Sequence, residues 1–102
     1  MFAELLLHER LLKALETLGF SEPTPVQKEA VPLAVQGEDL RVIAQTGSGK
    51  TAAFVLPVLH RLLQDAKPRT ATRALILLPT RELAQQTLKQ VELLAQFTFI
   101  KA

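Results

Sequence analysis

Eight consecutive residues carry the side-chain types and spacing needed to bind a phosphate. Ala44–Thr51, with the sequence AQTGSGKT, follow a short apolar run and precede a helical pattern. Gly47 and Gly49 have no Cβ, so the backbone there can take positive φ and bring its N–H groups close to phosphate oxygens. Lys50 would add a positive charge, and the Thr51 hydroxyl would bind Mg²⁺. This pattern predicts a nucleotide-binding loop rather than a Gly/Ser/Thr-rich turn that contains a lysine by chance.

The side-chain amide of Gln27 could recognise a base. A carboxamide presents a donor and an acceptor together, which matches the N6 and N7 edge of adenine and not that of guanine. Thr24, Pro25 and Gln27 also fit the start of a helix, with Thr24 as N-cap and Gln27 completing a capping box. The two roles are compatible only if Gln27 is released to the ligand, and the residues alone leave both open.

Three segments of the chain have distinctive sequences. The loop departs from the general pattern G-x-x-x-x-G-K-[ST] at Ala44, residues 19–27 are GFSEPTPVQ with Phe2 some way before them, and residues 79–84 are PTRELA. Together they resemble the DEAD-box RNA helicases, since helicases tolerate alanine at the position of Ala44. Residues 19–27 resemble the adenine-recognising Q motif, with Phe2 at the spacing where the family keeps an isolated aromatic residue, and residues 79–84 resemble motif Ia, which holds the RNA backbone. The motifs occur in family order and cover most of the chain.

The resemblance implies a site for ATP with Mg²⁺, in which Thr51 ligates the metal. The nucleotide would contact the isolated aromatic residue, the Q-motif glutamine and the loop: Phe2, Gln27, Ala44, Gln45, Thr46, Gly47, Ser48, Gly49, Lys50 and Thr51. By residue type alone, Phe2 is more typical of a core anchor, and we interpret Phe20 mainly as core.

Motif Ia implies contacts to RNA from Pro79, Thr80 and Arg81. Backbone N–H groups at the start of the following helix can bind a phosphate, and Arg81 adds charge, so the contacts would position RNA without reading its sequence. The alternative is an ordinary helix start with Thr80 as N-cap and Glu82 favourable to the helix dipole.

The pattern along the chain predicts an α/β fold with a parallel sheet, the phosphate-loop NTPase class. Strands are expected at 40–44 and 73–78, with a third starting at 98–102, and helices at 50–64 and after 80. The resemblance identifies this fold as an incomplete first RecA-like helicase domain. We divide the chain into a helical adenine-recognition segment, residues 1–39, and the start of the ATP-binding domain, residues 40–102.

Composition sets broad limits on the protein. The 102 residues allow one domain, and a hydrophobic content of 48% is sufficient for a core. A net charge of +2 is too small to indicate nucleic acid by itself, and the absence of cysteine excludes disulfides and thiolate metal sites. Leu5–Leu7 are too short for a signal peptide or a membrane span. We expect a soluble cytoplasmic protein that binds no membrane.

The resemblance implies an ATP-dependent RNA helicase as the parent protein. The D-E-A-D and S-A-T segments and the second helicase domain would lie beyond residue 102, so we expect this chain alone to hydrolyse no ATP and to unwind no RNA. An incomplete sheet also predicts self-association. Two other hypotheses remain: an RNA-binding or regulatory fragment that never hydrolyses ATP, and a purely structural module.

Overall fold

The computed structural model of the chain describes residues 2–5, 7–44, 49–64 and 72–102. Within those ranges the chain forms a short 3-10 helix and four α-helices: Phe2–Leu5, α1 (Glu9–Thr17), α2 (Pro25–Val35), α3 (Lys50–Gln64) and α4 (Arg81–Leu94). None of these helices is long and apolar enough to cross a membrane.

Helix α1 begins and ends at residues that satisfy its free backbone groups. Its N-cap is His8, whose Nδ1 accepts the N–H of Arg10 at 3.1 Å. At the other end Gly19 has a φ of 81°, a conformation that costs glycine little, and the following N–H donates to the Leu15 carbonyl at 2.8 Å. Leu11 and Leu15 face inward and are fully buried.

Helix α3 is the central element of the core. It packs most extensively against α2 and also contacts α1 and α4. Its buried face includes Val55, Leu56, Leu59 and Leu63, which join apolar residues of every other helix in one cluster. The start of α3 is therefore held firmly in place, which matters because the predicted phosphate loop leads directly into it.

The parallel sheet predicted at residues 40–44 and 73–78 is not found in the described part of the chain. Both segments are without assigned strand structure, and Ile43, Leu75 and Leu77 are 86%, 78% and 82% exposed. A strand needs a neighbour to satisfy its N–H and C=O groups, and these two segments do not form a ladder with each other. Ile76 points the other way and packs on the core, as expected for an extended chain with alternating faces.

The third predicted strand, residues 98–102, is replaced by a turn. The Thr98 hydroxyl donates to the Ala95 carbonyl at 2.7 Å and accepts the Ile100 N–H at 3.2 Å. A hydroxyl that bonds its own neighbouring backbone gives the chain an alternative to strand pairing. No strand is assigned at residues 98–102, so the predicted strand start is not confirmed.

The proposed boundary between segments 1–39 and 40–102 stays a prediction. Helices α2 and α3, which lie on either side of it, form one continuous apolar interior.

Candidate functional site

Gly49, immediately before α3, lies where only glycine fits. Its φ is 86°, and a Cβ there would collide with Nε2 of Gln27 and lie 3.1 Å from the Thr24 hydroxyl. The predicted positive φ is confirmed. The group that lies closest in this structure is a side chain of α2, and the close approach of Gly49 to a phosphate stays a prediction.

Gln27 is buried and connects the start of α2 to the start of α3. Its Oε1 accepts the Thr24 N–H at 2.9 Å, and its own N–H donates to the Thr24 hydroxyl at 3.4 Å, so the predicted capping box is confirmed. Its Nε2 donates to the Gly49 carbonyl at 3.2 Å. The segment that resembles the Q motif is thus hydrogen-bonded to the last glycine of the predicted phosphate loop.

The Gln27 carboxamide keeps capacity for a further partner. A primary amide has two N–H donors and two acceptor lone pairs, and the contacts to Thr24 and Gly49 use one of each. The side chain is only 4% exposed, however, so a base could reach it only if neighbouring groups move. Adenine recognition by Gln27 stays a prediction.

Of the two aromatic residues near the N-terminus, Phe2 is the more deeply buried and Phe20 the more exposed. Phe2, predicted to contact the nucleotide, is 5% exposed and belongs to the core cluster. Phe20, interpreted as core, is partly exposed, and its ring stacks on Phe2 with centroids 6.5 Å apart. Core burial of Phe2 is the alternative that residue type favoured, and direct base contact by Phe2 stays a prediction.

A cavity of about 1000 Å³ brings several predicted residues together. Its described lining includes Phe20, Gln27, Gly49, Lys50 and Thr51. Ala44 lies at the edge of the described chain and is half-buried, whereas Gln45, Thr46, Gly47 and Ser48 lie outside the described residues.

The start of α3 is suited to an anion. The first N–H groups of a helix have no partner within it, and its dipole makes that end positive. The first turn of α3 contains no acidic residue, and Lys50 is exposed with Thr51 beside it, half-buried. A phosphate placed there would receive backbone hydrogen bonds and the charge of Lys50.

Three charged residues of the cavity wall were not predicted from the sequence. Arg61 lies on α3 three turns after Lys50, and Glu38 and Asp39 follow the end of α2. Arg61 packs so close to Gly37 that a Cβ there would lie 3.2 Å from its Nη1. The spacing of Lys50 and Arg61 places them along one face of α3, so their shared position could have been predicted from the sequence.

The residues predicted to hold RNA lie at the start of α4. The Thr80 hydroxyl accepts the Leu83 N–H at 3.1 Å, so the helix-start interpretation is confirmed. Pro79, Thr80 and Arg81 are all exposed. None of the three lines the cavity, whose wall on this side is formed by Leu78 and Leu83.

Metal binding would depend on few protein ligands. Among the described residues no group of three or more His, Cys, Asp or Glu could hold an ion. A hydroxyl such as that of Thr51 fits the alternative mode in which Mg²⁺ takes most ligands from phosphates and water. The Mg²⁺ prediction remains to be tested.

The chain is closely similar to curated helicases over nearly its whole length. It is 59% identical over 99 residues to "Probable ATP-dependent RNA helicase ddx27" of Dictyostelium discoideum, covering 97% of this chain and 13% of that protein. It is 58% identical over 100 residues to DEAD-box ATP-dependent RNA helicase 28 of Arabidopsis thaliana, covering 98% of this chain and again 13% of the relative. The chain therefore spans only a small part of the relatives it matches.

Solved helicase structures are similar in fold. The RNA helicase Prp28 of Chaetomium thermophilum bound to ADP matches with a TM-score of 0.88 and 42% identity over 97% of this chain and 24% of that one. S. cerevisiae Dbp5 bound to RNA and ADP BeF3 matches with a TM-score of 0.80 and 41% identity over 95% of this chain and 25% of its own. The matching parts are RecA-like domains of DEAD-box helicases.

The family model for DEAD/DEAH box helicases matches residues 24–102, which include the start of α2, the predicted phosphate loop and α4. This match and the two relatives agree with the resemblance of the three motifs. The chain belongs to the DEAD/DEAH box helicase family.

Proposed function

We propose that the chain is the ATP-binding piece of an ATP-dependent RNA helicase. The observation that carries this proposal is the hydrogen bond of 3.2 Å from Gln27 Nε2 to the Gly49 carbonyl. It joins a carboxamide suited to adenine to the end of a loop suited to phosphates, on the wall of one cavity. A ligand with a purine and a phosphate chain would meet both groups at once.

The phosphates of ATP would bind at the start of α3. The loop residues 44–49 would supply backbone N–H groups, Lys50 the positive charge, and Thr51 a ligand to Mg²⁺. When bound, the metal would neutralise phosphate charge. Prp28 was solved bound to ADP and Dbp5 bound to ADP BeF3, which supports a nucleotide as the ligand of this chain.

The adenine would lie between Gln27 and the aromatic pair. Phe20 lines the cavity and could offer a ring face, while Phe2 would act from behind it through their stacking contact. The free N–H and lone pair of Gln27 would pair with N7 and N6 of the base after a small movement of its neighbours.

RNA would bind through its backbone at the start of α4. Pro79 and Thr80 lead into the free N–H groups of this helix, and the exposed Arg81 adds a positive charge. Such contacts bind phosphates without reading bases. The RNA in the Dbp5 structure supports this partner for the family region matched here.

Helicase activity belongs, in this proposal, to the longer parent protein. The 102 residues match 13% of the length of their relatives, and we expect them alone to bind ATP without hydrolysing it or unwinding RNA. RNA-stimulated release of phosphate from the pure chain would contradict this expectation. A cytoplasmic location and association of the chain with itself are further proposals.

The choice between ATP and GTP tests the proposed base recognition. ATP should bind more tightly than GTP, and Gln27→Ala should remove the preference, which is worth about 1–3 kcal/mol for a bidentate base contact. Calorimetric titration of both nucleotides into both proteins measures it. Equal affinities for ATP and GTP in the unmutated chain would refute adenine recognition.

Two further variants separate recognition from folding. Gln36→Ala, at the exposed end of α2, makes the same change away from the cavity and should alter neither affinity. Gln27→Glu keeps an oxygen for the Thr24 N–H and so retains the cap, but it removes the Nε2 donor. This variant should lose the ATP preference, and circular dichroism separates that loss from any unfolding caused by a carboxylate placed against the Gly49 carbonyl.

A further inference from the structure

His60 joins the N-terminal segment of the chain to α3 through one long-range hydrogen bond. Its Nδ1 accepts the backbone N–H of His8 at 3.0 Å, across 52 positions of sequence. His8 is the N-cap of α1 and follows the N-terminal segment, which is defined by the described residues 2–5 and 7. The bond therefore holds the junction between that segment and α1 against α3.

The N-terminal segment depends on α3 for its apolar contacts as well. Phe2 and Leu7 are buried in the same cluster as Leu56, Leu59 and Leu63 of α3. His60 lies on this helix between the last two of these residues and is itself 8% exposed. The imidazole is thus the polar contact at the edge of an otherwise apolar interface.

The hydrogen bonds fix the protonation state of the ring. The His8 N–H can only donate, so Nδ1 of His60 must be unprotonated and the neutral ring must carry its hydrogen on Nε2. Nε2 lies 3.1 Å from the Gln64 side-chain amide. The Gln64 oxygen can take this position after rotation of the amide group, which gives both ring nitrogens a partner.

We propose that His60 is a positioning residue whose neutral imidazole holds the N-terminal segment on α3, and whose protonation releases it. Protonation would place an N–H on Nδ1 facing the His8 N–H, two donors with no acceptor between them. The hydrogen bond would be lost, and the interface would have to open to hydrate a charged ring. This inference concerns the chain itself and does not depend on nucleotide binding.

Burial and then the charge of His8 lower the pKa of His60 below its usual value of 6.5. Among the described residues, His8 is the one titratable group whose charge shifts the pKa of His60. Glu9 and Arg10 of α1 are exposed, and no charged residue of α2 or α4 contributes to the shift. Gln64, the other neighbour of the ring, is uncharged.

The direction of the pH dependence follows from this lowered pKa. Well above pH 6.5 His60 is neutral in both the folded and the unfolded chain, so the contact is fully present. As the pH falls below 6.5, the unfolded chain takes up the proton more readily than the folded chain, and stability declines toward the folded pKa. The N-terminal segment should therefore be held at neutral pH and released in mild acid.

Hydrogen exchange at the His8 amide measures the contact directly. In the unmutated chain its protection factor should be high at pH 8 and clearly lower at pH 5, while amides in the middle of α3 keep theirs. His60→Asn offers an oxygen near the position of Nδ1 and cannot be protonated in this range, so it should retain protection at both pH values. His60→Leu offers no acceptor and should lack protection at both.

An NMR titration measures the pKa of the His60 ring directly. A residue with a merely structural role would show no link between this pKa and the charge of His8. The ring should titrate below pH 6.5, and His8→Asn, which keeps an N-cap side chain but removes the charge, should move the titration upward. A ring that titrates at or above its usual value, a His8 amide unprotected at pH 8, or the same acid loss in His60→Asn would each overturn the proposal. If His60→Leu does not fold, the comparison between the unmutated chain and His60→Asn still decides.

Discussion

The helices and the two extended segments of the molecule both carry apolar side chains, but the most deeply buried ones lie in the helices and the most exposed ones in the extended segments. Leu11, Leu15 and Leu56 are fully buried in the helices, whereas Leu75 and Leu77 in the second extended segment are about four-fifths exposed. A helix satisfies its backbone hydrogen bonds within itself and needs partners only for one face. A strand needs a neighbour for every bond, so its apolar side chains stay exposed where that neighbour does not form.

The difference is also visible at the ends of the elements. Helices α1, α2 and α4 each begin at a residue whose side chain accepts a backbone N–H: His8, Thr24 and Thr80. These signals act over three or four residues and can form without the rest of a fold. The segments 40–44 and 72–78 have no equivalent local device, because register and pairing are set by distant residues.

The largest expected effect of this difference is on stability. Leu56→Ala should reduce the free energy of unfolding by about 2–5 kcal/mol, because it removes a side chain from the centre of the core. The same change at Leu77, which is 82% exposed, should stay within about 0.5 kcal/mol. Denaturant unfolding of both variants measures the contrast. Similar losses at the two positions would mean that the extended segment is buried in solution.

Association of the chain with itself should be the next largest effect. Leu75 and Leu77 share one face of an extended segment, and an exposed apolar strand of this kind can pair with a second copy. Light scattering should show species larger than the monomer, and replacing both leucines by lysine should shift the protein toward monomer. Leu33→Lys, on the exposed face of α2, serves as control. An unmutated chain that stays monomeric at all concentrations would refute the proposed self-association.

Local signals in the sequence predicted much of this structure. The pattern of the predicted phosphate loop correctly predicted that α3 begins at Lys50, and Thr24 with Gln27 correctly predicted the capping box. Both patterns depend on residues that are close together in the sequence. The hydrogen bond from Gln27 to Gly49 could not be predicted, because it depends on how α2 packs against α3. The stacking of Phe2 behind Phe20 depends on tertiary packing in the same way.

The predicted sheet is not confirmed for a related reason. Residues 73–78 have strand-like composition, but strand formation depends on partners more than on composition. Thr98 shows a second kind of failure, since its hydroxyl forms a local turn where hydrophobic pattern suggested another strand. The hydrogen bond between His60 and His8 could not be predicted from the sequence, because the two residues lie 52 positions apart.

Nucleotide titration of the unmutated chain and of Lys50→Ala tests the central claim most directly. Lys50 is exposed at the start of α3, so its loss should leave helix content unchanged by circular dichroism. It should weaken ADP and ATP binding by about 10- to 100-fold, the effect of one charge-assisted hydrogen bond. Lys89→Ala, an exposed lysine of α4 outside the cavity, should bind as the unmutated chain does. An unmutated chain that binds no nucleotide, or a folded Lys50→Ala variant with undiminished affinity, would contradict the account.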